Sequence, residues 1–144
     1  MSLRVLSPRE ASIFACVTET IVAPVPLLPA VRDTTAVASF DTWLWHSPRL
    51  NRAGLRGLFY LAEMSPRLLG FGARLRSLAP GERTAALQRA ERSGPAPVRG
   101  LVKLVKSITC LFYYGDDAVM RRLGYDADAV VRRGRELRML EDRP

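Results

Sequence analysis

Residues 97–114, PVRGLVKLVKSITCLFYY, restrict the folds open to this chain more than any other stretch. Pro95 and Pro97 break whatever precedes them, and Gly115 suits a helix stop. Between them Val98, Leu101, Val102, Val105, Ile108, Thr109 and Phe112 recur at the three-and-four spacing of one helical stripe. Leu104 and Leu111 add a second apolar edge, leaving Arg99, Lys103, Lys106 and Cys110 on the remaining strip. A helix apolar over most of its circumference belongs at the centre of a bundle. The apolar tract 107–115 is too short to span a bilayer, and no transmembrane helix is expected anywhere in the chain.

The rest is punctuated by proline and glycine. Ser7-Pro8-Arg9-Glu10 is a capping box with proline at the first helical position. It opens a helix over 8–22 with Ile13, Phe14, Val17 and Ile21 on one face. Pro24, Pro26 and Pro29 then force an extended segment, in which Val25, Leu27 and Leu28 are expected to cover apolar surface. A second helix is predicted over 35–46, with Phe40, Trp43 and Leu44 as its buried stripe. Trp45 lies about 200° from Trp43 around that axis and points elsewhere.

Ser47-Pro48 starts a third helix whose apolar positions are Leu50, Leu55, Leu58, Phe59 and Leu61. Gly54 and Gly57 on it read as places where another helix comes close. Ser65-Pro66 is expected to restart the chain into a short helix over 67–75. A polar outer helix follows from about residue 79 to Ser93, with Leu87 and alanines as its apolar edge. After the central helix, Asp116-Asp117 caps a short helix over 118–123 that Gly124 closes. The Arg-rich tail from Asp128 forms one more helix, docked weakly or on a partner. No strand alternation and no internal repeat is visible. The expected architecture is all-α: one domain over 1–144, about six helices around helix 97–114. Its ends, 1–6 and 126–144, are expected to be less ordered or docked on a partner.

Chemistry is scarce. His46 is the one histidine, without a ligand set or a Gly-x-Ser-x-Gly around it. Cys16 and Cys110 are far apart and read as buried free thiols. No glycine-rich phosphate loop or metal spacing occurs. Asp116 and Asp117 could imitate a catalytic pair, but adjacent carboxylates at a helix start read as caps. The formal charge is +8 and nearly all of it is arginine, the lysines being Lys103 and Lys106. Arginine suits carboxylate or phosphate partners. The excess predicts an acidic partner, unless it reflects coding bias towards arginine. A nucleic-acid regulator has the charge but no reading element. A lipid-surface adaptor would place Trp43, Trp45 and the arginines at the interface. The N-terminus, MSLRVLSPREAS, has neither a secretory nor a twin-arginine pattern. The chain is therefore expected to be cytoplasmic, or exported bound to a signal-bearing partner.

Three segments in order carry a family likeness: SPREASIFACVTETIVAP before a proline-rich stretch, LRGLFYLAEMSPRLLG in the middle, and ERTAALQRAERSGPAPVRGLVKLVKSITCLFYYGDDAVMRRLGYD. In this order the chain resembles the gluconate 2-dehydrogenase small-subunit family and the N-terminal helical region of long-chain fatty alcohol oxidases, over roughly residues 6–131. The resemblance implies a non-catalytic accessory subunit, part of a heteromer. Its partner would be an FAD-dependent oxidoreductase of the glucose-methanol-choline type acting on an alcohol, sugar or sterol. FAD would sit on the partner, and this chain would hold no cofactor. Leu123-Gly124-Tyr125 occupies the place of the turn that precedes the flavin domain in the oxidases, a domain not present in these 144 residues. The expected partner-binding residues are Tyr113, Tyr114, Arg121, Arg122 and Tyr125, with Trp45 as a second site. Tyrosine and arginine combine contact area with directional bonds, which suits interfaces. A plainer reading has Phe112 and one tyrosine finishing the core.

Overall fold

The computed structural model describes residues 3–141, which form seven α-helices and no strand. They are α1 (Pro8–Val22), α2 (Ala36–His46), α3 (Arg49–Leu68), α4 (Pro80–Ser93), α5 (Ala96–Tyr114), α6 (Asp117–Arg122) and α7 (Ala127–Glu141). Two 3₁₀ turns, Val31–Asp33 and Leu75–Ser77, join them. The all-α expectation holds. α5 is central: it packs against α1, α2, α3, α4 and α6.

The core is aromatic where four helices meet. Phe14 of α1 stacks on Phe40 of α2, with ring centroids 4.3 Å apart and planes 11° from parallel. Phe59 of α3 lies 5.0 Å from Phe14, and Phe112 of α5 lies 5.3 Å from Phe40. Ile13, Val17, Leu44, Val105 and Ile108 close around them. A smaller cluster of Val31, Tyr113 and Val119 seals the end of α5.

Local chemistry sets the helix ends. The Ser7–Glu10 box forms as expected: the Ser7 N–H donates to Glu10 Oε2 at 2.8 Å, and the Glu10 N–H donates to Ser7 Oγ at 3.3 Å. α1 stops at Ala23, whose φ of 40° places a non-glycine residue in the left-handed region before Pro24. α4 is the outer helix expected, burying Ala86, Leu87 and Ala90.

Several expectations are corrected. Ser65-Pro66 does not restart the chain, because α3 runs through both to Leu68. Proline has no N–H for the Ala62 carbonyl four residues back, and the Ser65 hydroxyl donates to that carbonyl at 2.8 Å instead. Residues 69–74 are then loop, not helix. Gly54 and Gly57 touch no neighbouring helix, since a Cβ on either would meet nothing within 4 Å. Leu50 and Leu61 face solvent, as do Val25 and Leu27. The second edge of α5, Leu104 and Leu111, is also exposed, so α5 is central but covered on only part of its circumference. The N-terminal segment is pinned where loose structure was expected: Leu6 is buried, and the Arg4, Val5 and Leu6 N–H groups all donate to Asp41. α7 is a helix, as expected for the tail, and its described side chains are exposed apart from half-buried Ala129.

Candidate interaction surface

The corner at the end of α5 is built around Tyr113 and Asp116. Tyr113 is fully buried, and its hydroxyl donates to the Pro29 carbonyl at 2.7 Å. Burial, with Tyr114 and Asp116 nearby, raises its pKa. Tyr113 is therefore not a surface anchor, correcting the sequence expectation. It lies four residues after buried Thr109 and continues the α5 stripe inward. Tyr114 stands edge-on to it, centroids 5.1 Å apart, and keeps 38% of its surface exposed.

Asp116 caps α6, as its position predicts: its Oδ1 accepts from the Ala118 and Val119 N–H groups. Its Oδ2 accepts from the Thr35 N–H and hydroxyl, both at 2.7 Å. One carboxylate thus joins the starts of α6 and α2. Burial alone would raise its pKa, but these donors hold it below the ordinary value. Glycine suits position 115, the cap of α5, because a Cβ there would sit 2.7 Å from the Leu111 carbonyl oxygen.

α6 ends in a paired hydrogen-bond stop. The Gly124 N–H donates to the Arg121 carbonyl and the Tyr125 N–H to the Met120 carbonyl, with Gly124 at φ 73°. This geometry explains the Leu-Gly-Tyr order. Glycine takes the left-handed position, and Leu123 and Tyr125 are left 55% and 50% exposed on either side. Arg121 and Arg122 are exposed beside them. An open cleft of about 550 Å³ runs between Asp117, Met120, Arg121, Tyr125 and Asp126. The structure therefore brings Tyr114, Arg121, Arg122 and Tyr125 to the surface of one corner.

Trp45 lies at the other end of α2. That helix has 11 residues, so the two places are separated by about 16 Å of helix. Trp45 is half exposed, with the Arg4 and Arg52 guanidiniums 5.9 and 5.7 Å from its ring centroid. Arg52 also caps α2, donating to the Leu44, Trp45 and Ser47 carbonyls. Trp43, expected inside, leans on Phe112 at 5.9 Å but leaves nearly half its surface out. Sequence reading missed Arg4, Arg9 and Arg52 as parts of a site. Arg9 lies 5.7 Å from the Tyr60 ring centroid.

The buried carboxylates serve assembly. Asp41 anchors residues 4–6; burial opposes its charge, and the three N–H donors bring its pKa below the ordinary value. Glu10 also has a lowered pKa: burial works against it, and the Arg56 hydrogen bonds at 2.6 and 3.1 Å, together with those from the Ser7 N–H and hydroxyl and the Arg56 charge, outweigh burial. Glu63 pairs with Arg76 at 2.8 Å, fixing the second 3₁₀ turn to α3. Cys16 and Cys110 are free and half-buried, and burial raises both thiol pKa values. His46 is exposed. Among the described residues no group of three or more His, Cys, Asp or Glu side chains gathers at a metal-binding distance, and no helix is long and apolar enough to cross a membrane. Comparison with family models, curated proteins and solved structures gives no match to this chain.

Proposed function

We propose that this chain is an accessory subunit that binds and stabilises, or helps mature, an FAD-dependent alcohol, sugar or sterol oxidoreductase. The order of sequence segments supports the flavoprotein as partner. The observation that carries the adhesive role is the α6 stop: a rigid hydrogen-bonded turn that keeps Leu123 and Tyr125 outside, with Tyr114, Arg121 and Arg122 at the same corner. Side chains presented on a fixed backbone lose little freedom on binding, so more of their contact energy appears as affinity. Beneath the corner, Tyr113 and Asp116 tie α5, α6 and α2 together. The corner therefore keeps its shape without a partner.

The reading is tested by isolating the tagged chain from its native cell and measuring bound flavin by absorbance and FAD release. A yellow large subunit in fixed ratio to this chain is expected. Tyr125→Ala combined with Leu123→Ala should cost about 2 kcal/mol of that association, roughly thirtyfold in affinity. Recovery of the chain without flavin, or turnover of an alcohol by the purified chain alone, would overturn the proposal.

A further inference from the structure

On one side of this molecule the carboxylates are inside and the arginines outside. Residues 34–81 contain two carboxylates, Asp41 and Glu63, and both are buried. Residues 3–9 contain none, and Glu10 is buried against Arg56. The face built by residues 3–9, the C-terminal end of α2 and the first half of α3 thus shows Arg4, Arg9, Arg49 and Arg52 with no exposed carboxylate from those segments. Among the described residues none of these four guanidinium groups has a carboxylate within 4 Å. Trp45 stands on α2 within this region, half exposed beside Arg4 and Arg52, and Leu50 on α3 is 83% exposed.

We infer that this arginine–tryptophan face docks an acidic segment of a partner protein, one that brings carboxylates to Arg4, Arg9 and Arg49 and an apolar side chain to Trp45. The inference rests on the adhesive reading above and narrows it to the partner's chemistry on one face. Charge complementarity is its first ground: arginine N–H groups pair bidentately with carboxylates, and this face supplies none of its own. Rigidity is the second. Arg52 is tied to three carbonyls at the end of α2 and lies beside Trp45, so the aromatic anchor is fixed in place. A lipid surface is a poorer occupant. Interfacial helices sink a whole apolar face into the bilayer, whereas α2 and α3 give theirs to the core through Phe40, Leu44 and Phe59.

Trp43 and Trp45 are the chain's two tryptophans, and Trp43 leans on Phe112 on the other side of α2, so in a Trp43→Phe background intrinsic fluorescence reports this face alone. Relative to free N-acetyltryptophanamide, iodide should quench Trp45 several-fold more strongly than caesium, and Arg4→Glu should reduce that ratio. A peptide of Glu-Glu-Leu repeats should shift the emission and bind about tenfold more tightly than its Gln-Gln-Leu counterpart. Arg4→Glu and, separately, Arg49→Glu should each weaken the peptide about tenfold. From residue 4, Asp41 accepts a hydrogen bond only from the main-chain N–H, with the Arg4 charge a lesser contribution that Arg4→Glu removes, and Arg49 opens α3, where an acidic residue is favourable. Neither change should unfold the chain, and circular dichroism checks this. Equal quenching by the two ions on that scale, equal binding of the two peptides, or tighter binding to phosphatidylglycerol vesicles or duplex DNA than to the acidic peptide would overturn the inference. These measurements use the chain alone, so their failure is distinct from failure to recover a flavoprotein.

Discussion

Asp41 sits inside the bundle with three main-chain N–H groups aimed at its carboxylate at 2.7–3.0 Å. Asp41→Ala leaves those donors without their acceptor and should cost about 3 kcal/mol in urea denaturation. Asp41, Asp116 and Glu10 share a pH signature. Each has a folded-state pKa below its ordinary value, 3.8 for the aspartates and 4.5 for the glutamate. The unfolded chain therefore binds protons more readily than the folded one as pH falls. Stability from these groups is complete above the ordinary values and is lost as pH drops from there through the folded values. Denaturation midpoints should be flat from about pH 6 to 7 and fall steeply below about pH 4. A midpoint unchanged at pH 3 would contradict the assignment. Asp116 was legible as a cap because it opens a short helix. Asp41 was not, because its partners are 35 to 37 residues away in sequence. Tyr113 was half legible: the stripe through Val105 and Thr109 continues to it, but the neighbouring tyrosine obscured which of the two turns inward.

Helices were read well where polar or apolar spacing is long and caps are local. α1, α4 and α5 begin and end within a residue or two of their expected limits. α3 differed because Ser65 replaces the hydrogen bond that Pro66 removes, a side-chain compensation that a proline rule ignores. Ser65→Ala should then cost about 1–2 kcal/mol and loosen the last turn of α3, visible as faster amide exchange beyond residue 62. Gly54 and Gly57 reverse another expectation. Each stands in a helix with open space where a Cβ would go. Gly54→Ala should raise stability by about 0.5–1 kcal/mol, where close helix packing would have made it destabilising. The exposed Leu104 and Leu111 show the limit of periodicity. It marks which residues share a face, while the number of neighbouring helices decides how much of that face is covered.

At the scale of the molecule, α2 is the beam between two surfaces. Asp116 holds its first residues beside the start of α6, and Arg52 caps its end beside Trp45. The all-α class followed from helical spacing and from the prolines between helices. The clustering of arginines on a face free of carboxylates followed only from knowing which acids are buried. The residues expected to bind a partner divide accordingly. Tyr114, Arg121, Arg122, Tyr125 and Trp45 are exposed, while Tyr113 supports the corner from inside. The central proposal is that a flavoprotein covers the exposed corner. The most direct test is hydroxyl-radical footprinting of the isolated chain and of its flavin-containing complex. Protection of Tyr125 and Leu123 in the complex by about tenfold or more is predicted, with buried Tyr113 unlabelled in both. Equal labelling of Tyr125 and Leu123 in the two samples would contradict the account.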